Sequence, residues 1–189
     1  MDTLKRIDYQ LFRVINGSYN DVLDFIMYWV SDKWIWIPLY IWLLYVLVRF
    51  MKKKLIWFAL MIGVLIALSD QVSVYIKFYF QRLRPCHDPL IADNIHLVNN
   101  GCGGQYGFLS SHASNTMSLV LLLIAILPSK YKSVKGVLIA YLLLVGYSRV
   151  YLGAHFPGDV VAGWLLGVIV ALIGIFIWKK FLPEQKPES

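Results

Sequence analysis

The chain predicts an all-α fold, a polytopic membrane bundle of about five transmembrane helices preceded by N-terminal interfacial amphipathic helices. Three observations carry this. Of 189 residues, 59 % are hydrophobic and 15 % charged, with a mean hydropathy of +0.62, which is too apolar for an ordinary water-soluble domain. The apolar residues gather into long runs, and a helix needs about 20 mostly apolar residues to cross a bilayer. Polar residues that could do chemistry cluster at the ends of those runs. Seven Trp, twelve Tyr and ten Phe fit interfacial aromatic belts, although a large aromatic core would give the same count.

Residues 1–33 form the interfacial segment. Leu4, Ile7, Leu11, Phe12 and Ile15 recur at helical spacing with Lys5, Arg6, Asp8 and Arg13 between them, the pattern of a helix lying on a membrane surface. The same helix would equally well cap the bundle. Gly17 and Asn20 punctuate it, and Val22, Phe25, Ile26 and Trp29 begin a second short helix that Ser31-Asp32-Lys33 stops before it can span. The charged start lacks the apolar core and small-residue cleavage site of a signal peptide.

Five spans follow in a transmembrane core over 34–178, at residues 34–50, 55–80, 112–127, 134–150 and 157–178, and residues 179–189 form a tail. The whole chain reads as one membrane-embedded domain. The second span is long enough to tilt and carries Asp70 and Gln71 in its middle, while the third and fourth are short. Arg49, Lys52, Lys53, Lys54, Lys130, Lys132, Lys135, Lys179, Lys180 and Lys186 all fall on one face of this arrangement. The positive-inside rule makes that face cytoplasmic, along with the C-terminus, and points the opposite face outward. The net charge of +7 is therefore accounted for by topology and implies no nucleic-acid partner.

Three polar clusters lie on the outward face. Lys77 is seven residues before Arg84, so on a continuing helix ended by Pro85 the two fall on one line, with Asp70 seven residues further back. Arg82 reads as a cation snorkelling at the interface. Ser110, Ser111 and His112 open the third span, where unpaired N–H groups and the helix dipole favour an anion; either serine would also serve as the N-cap. The third cluster joins Ser148-Arg149 to His155 and Asp159. These last two are four residues apart, which on a helix lets the carboxylate hold one ring nitrogen while the other attacks as a nucleophile.

These residues resemble the type 2 phosphatidic acid phosphatase family, which shares its site with bacterial acid phosphatases and vanadium haloperoxidases. The family pattern is Lys-x6-Arg-Pro, then Pro-Ser-Gly-His, then Ser-Arg-x5-His-x3-Asp. Here Lys77 to Pro85 and Ser148 to Asp159 match in type and spacing, whereas Leu109-Ser110-Ser111-His112 has Leu for Pro and Ser for Gly. The resemblance covers residues 34–178 and implies a six-span core, with the surface helices replacing the first span. It also implies that Lys77, Arg84, Arg149, Ser110 and Ser111 hold phosphate, that His155 forms a phosphohistidine, that Asp159 orients His155, and that His112 protonates the leaving oxygen and later activates water. Asp70 is expected to support the network below Lys77.

No cofactor is required, because three cations can neutralise the developing charge. They would also repel a zinc ion held by His112, His155 and Asp159. An anionic-lipid transporter would leave His155 with Asp159 unexplained; a phosphotransferase remains a chemical neighbour of the phosphatase. Cys86 and Cys102 flank an outward loop and suggest a disulfide closing a lid over the entry, with His87 and His96 as ordinary loop residues. The expected substrate is a membrane lipid phosphate. Undecaprenyl diphosphate ranks first, with phosphatidylglycerol phosphate, phosphatidic acid and lipid A 1-phosphate compatible.

Overall fold

The computed structural model describes residues 3–181. Seven α-helices occur among them: α1 (Thr3–Gly17), α2 (Asp21–Ser31), α3 (Ile37–Met51), α4 (Leu55–Phe80), α5 (Ser111–Ile126), α6 (Lys132–Tyr151) and α7 (Pro157–Phe181). α3 to α7 correspond to the five expected spans within a few residues at each end. α3 starts later than expected because Asp32 caps a tight 3-10 turn over Lys33–Trp36, its carboxylate accepting from the Trp34 amide at 2.8 Å. α7 runs on through Lys179 and Lys180, so these lie in its last turn rather than in a tail, where cations complement the helix dipole. Lys186 and the rest of 182–189 lie outside the described residues.

Side-chain contacts set the directions. Phe50, near the end of α3, packs on Tyr131 just before α6, and Phe58, near the start of α4, packs edge-on against Trp178 near the end of α7. At the other end the Lys77 ammonium, in the last turn of α4, donates to Ser111 Oγ at the start of α5. The five helices thus alternate in direction. Their lysine-rich turns share one end, and the 82–110 loop and the 152–156 turn share the other.

α5 is the central helix. Its 16 residues span about 24 Å at 1.5 Å per residue, short of a hydrocarbon layer of about 30 Å. It tolerates this because half of its residues are buried by neighbouring helices. α7 lies closest against it, through glycines. A Cβ at Gly163 would meet the Ser110 carbonyl at 2.5 Å, and one at Gly167 would meet the Ser114 carbonyl and Met117 Cβ at 2.6 Å. Such small-residue contacts let two helices approach when lipid supplies no hydrophobic drive between them.

The N-terminal segment both caps the bundle and presents an apolar face outward. α1 buries Tyr9, Phe12 and Asn16, and Phe12 joins Ile91, Val150, Phe156 and Val160 in a small core at the chemical end of the bundle. Leu4, Ile7, Leu11 and Val14 stay exposed on its other side, suited to lipid. Asn16 locks the helix down, donating to the carbonyls of Tyr151 at 2.7 Å and His96 at 2.8 Å.

Replacing Gly167 by Val should force α5 and α7 apart and lower the thermal midpoint of detergent-solubilised protein by several degrees, since overpacking costs about 1–3 kcal/mol. An unchanged midpoint would show that the close approach is not needed.

Candidate active site

α4 stops at Phe80, four residues short of Arg84. Gln81 takes a left-handed backbone (φ 47°) and its amide donates to the Lys77 carbonyl at 2.9 Å, which closes the helix. Arg84 is extended (φ −69°, ψ 159°), as steric conflict with a following proline favours. The expected stripe of Asp70, Lys77 and Arg84 on one helix is therefore not formed. Arg84 instead reaches the site from a loop whose Leu83 pairs with Tyr106 in an isolated antiparallel bridge. Its guanidinium donates to the carbonyls of Tyr106 (3.3 Å), Cys102 (3.3 Å) and Ala154 (3.2 Å), and Nη1 lies 3.5 Å from His155 Nε2.

Lys77 and Arg149 arrive from α4 and α6. Lys77 Nζ donates to Ser111 Oγ at 2.6 Å and lies 3.4 Å from Ser73 Oγ, and those two hydroxyls meet at 2.5 Å. Ser111, standing where the family has glycine, thus holds the ammonium. Arg149 Nη1 donates to Ser31 Oγ at the end of α2, while its Nε is buried without a partner. Asp70 joins the network through its backbone carbonyl, which accepts from Ser73 Oγ at 2.7 Å, and its carboxylate lies within electrostatic reach of Lys77.

His155 sits in the turn before α7, so the pair with Asp159 is not a helical i,i+4 pair as expected. Asp159 is in the first turn and reaches back: Oδ2 accepts from the Phe156 amide at 3.0 Å, a capping bond, and stands 3.6 Å from His155 Nδ1. Nδ1 is buried and has no hydrogen-bond partner, and a small ring movement would bring it onto the carboxylate. With Arg84 donating toward Nε2, the unprotonated nitrogen of the neutral ring faces the cations. Burial first, and then Arg84 and Arg149, push the His155 pKa well below its ordinary 6.5, because a positive ring would be desolvated among cations. Arg84 is itself pushed down by burial, against the opposing pull of Asp159. His112, in the first turn of α5, lies within electrostatic reach of Arg149, His155, Arg84 and Lys77. Ser110 is fully buried as the α5 N-cap, and its amide donates to the Asp159 carbonyl at 3.0 Å, tying the starts of α5 and α7 together.

Every sequence-predicted histidine, serine and cation of the site thus lies at one end of the bundle. Arg82 is the residue that sequence reasoning misassigned. It pairs with Asp159 at 2.7 Å and with Asp8 of α1, and does not snorkel toward lipid. No local pattern marked it, because Asp8 is 74 residues away.

The loop over the site is pinned rather than lid-like. Tyr9 of α1 donates to Asp88, and burial followed by that contact pushes the phenol pKa up. His96 Nε2 lies 2.8 Å from Asp24 Oδ2, and its ring stacks on Tyr19 at 3.9 Å. Cys86 and Cys102 are joined, with Cα atoms 6.1 Å apart, a spacing that suits a disulfide.

Cations converging on a neutral imidazole, backed by a carboxylate, at one end of a membrane bundle define a phosphoric ester hydrolase of the integral membrane class. Residues 54–182 match the family model described as PAP2 superfamily, and the chain belongs to that family of membrane lipid phosphatases. It is 34 % identical over 192 residues to a protein of Bacteroides thetaiotaomicron named lipid A 4'-phosphatase, covering 100 % of this chain and 84 % of that one. A protein of the same name from Porphyromonas gingivalis is 35 % identical over 188 residues, covering 96 % and 76 %. The fold matches the crystal structure of a transmembrane PAP2 type phosphatidylglycerolphosphate phosphatase from Bacillus subtilis with TM-score 0.74 and 22 % identity, covering 98 % of this chain and 90 % of that one.

Two outcomes test the geometry. Ser111→Ala should loosen Lys77 and raise KM about 10- to 100-fold, the worth of one hydrogen bond to a charged group, while an unchanged KM would remove Ser111 as its support. In protein from an oxidising compartment, maleimide should label neither cysteine until a reductant is added; labelling of both beforehand would exclude the bond.

Proposed function

We propose that the protein removes a phosphate from lipid A, most directly the 4'-phosphate, through a phosphohistidine on His155. The observation that carries the chemistry is the placement of His155 between Asp159 and Arg84, with Nδ1 toward the carboxylate and Nε2 toward the cations. The substrate rests on the two relatives named above, each matched along nearly the whole chain. Undecaprenyl diphosphate, the substrate expected from the sequence, therefore takes second place. The 1-phosphate of lipid A is compatible with the sequence, whereas the two relatives favour the 4'-phosphate.

Lys77, Arg84 and Arg149 hold the phosphate oxygens, assisted by amides at the start of α5 and by Ser110. Ser111 acts chiefly through Lys77. His155 Nε2 attacks phosphorus, forming an N–P bond as the bond to the lipid oxygen breaks, and His112 gives that oxygen its proton. Water then attacks phosphorus while His112 takes a proton from it. The N–P bond breaks, releasing inorganic phosphate and neutral His155. The cations compensate the charge that builds on the equatorial oxygens, so no metal is assigned a role. The lysines gathered at the opposite end of the bundle support an orientation with the site on the outer face of a bacterial cytoplasmic membrane.

The test is release of inorganic phosphate by purified protein from lipid A, undecaprenyl diphosphate, phosphatidylglycerol phosphate and phosphatidic acid, with and without EDTA. Lipid A should be the preferred substrate and EDTA should have no effect. Preference for another lipid would overturn the substrate, and loss with EDTA would overturn the mechanism. His155→Ala should lower turnover at least about 1,000-fold without unfolding the protein, as expected for loss of a nucleophile. Since His155 is held neutral well below its ordinary pKa, the acid limb due to it should fall well below pH 6.5. A limb at pH 6.5 that His155 variants shift would contradict the buried, cation-flanked ring.

A further inference from the structure

We propose that Arg82 is a positioning residue for the nucleophile, holding Asp159 ionised and aimed at His155, and that Asp8 makes the surface helix α1 part of the catalytic support. The inference rests on the His155–Asp159 reading above.

Asp159 is fully buried, and an ionised carboxylate in such a place needs a cation in contact with it. Among the described residues, Arg82 supplies that contact. Arg84 spends its hydrogen bonds on three carbonyls and faces His155 Nε2, on the other side of the ring. The two oxygens of Asp159 are divided accordingly. Oδ1 is taken by Arg82 at 2.7 Å, while Oδ2 accepts from the Phe156 amide and faces His155 Nδ1. Arg82 therefore stops the carboxylate from rotating out of line.

Arg82 is itself held on three sides. Its guanidinium carbon lies 4.4 Å from the centre of the Phe156 ring, and that ring stacks on Tyr9 of α1 at 4.8 Å. Its Nη2 pairs with Asp8 Oδ2, and Asp8 Oδ1 accepts from the Gly158 amide in the first turn of α7 at 2.7 Å. Its carbonyl accepts from the Gly107 amide at 2.8 Å. Asp8 thus grips both the arginine and the helix that carries Asp159. A planar fork can bridge two carboxylates from fixed directions, which the single ammonium of lysine cannot reproduce.

The test is a double-mutant cycle on the purified full chain, with kcat and KM measured on the lipid phosphate it hydrolyses and thermal midpoints recorded for each variant. Arg82→Gln should lower kcat about 10- to 100-fold and change KM less than about 3-fold, because the residue acts through Asp159 and not on substrate. In an Asp159→Asn background the same substitution should cost less than about 2-fold, since its target is already gone. Arg82→Lys should fall between the wild type and Arg82→Gln, and Asp8→Asn should lower kcat by a smaller factor than Arg82→Gln with KM retained. Wild-type kcat in Arg82→Gln, an equal loss in both backgrounds, or a loss confined to KM would overturn the proposal. Should Arg82→Gln not fold, wild-type kcat in both Arg82→Lys and Asp8→Asn would overturn it, and reduced kcat at unchanged KM in either would sustain it. Near wild-type turnover of Asp159→Asn alone would instead refute the His155–Asp159 reading on which the inference stands.

Discussion

The cations that face His155 are held by neutral oxygens rather than by carboxylates, and the rest of the site depends on that choice of partner. Arg84 is seated on three backbone carbonyls, Lys77 on Ser111 and Ser73, and Arg149 on Ser31. Neutral partners fix a side chain without cancelling its charge. A carboxylate in the same position would have competed with phosphate for the cation. Arg82 is the contrasting case, because both ion-pair partners of its guanidinium are carboxylates and its charge is already used. The partner thus separates the arginine suited to substrate from the arginine suited to structure.

Concentrating unneutralised cations carries an electrostatic cost, which the surrounding helices bear. α5 and α7 approach through Gly163 and Gly167, and the Ser110 amide reaches the Asp159 carbonyl, so the helix starts bearing His112 and Asp159 are fixed relative to each other. The buried surroundings that make the cations repel also keep His155 neutral. One environment sets both the concentration of positive charge and the protonation of the imidazole. The pinned loop and α1 pack at the same end of the bundle, where the burial of His155 and Asp159 strengthens the fields that they feel.

Much of this was legible in the chain. The five spans follow from runs of apolar residues, because a bilayer imposes a length that local composition must satisfy. The candidate side chains that share one end of the bundle were legible because three ordered motifs retain their spacing. Two inferences failed where a helix was extended through residues that end it. Arg84 precedes a proline and is extended, as the clash between a proline ring and the residue before it dictates. His155 precedes the first turn of α7, so its spacing from Asp159 reflects a cap reaching backward rather than one helical face.

The sequence by itself determined the membrane class, the helix count and the set of candidate side chains that the structure gathers at one end of the bundle, since each depends on local composition or fixed spacing. Only the tertiary structure decided what each side chain touches. Arg82 was indistinguishable from a snorkelling cation until α1 brought Asp8 to it, and α1 read equally as a surface helix or a cap until Tyr9, Phe12 and Asn16 were seen buried. Ser111 was a departure from the family pattern before it was a seat for Lys77. The physical reason is common to all three: an electrostatic or hydrogen-bonding role belongs to a pair of groups, and here the partners lie 34 to 135 residues apart, beyond any local sequence pattern.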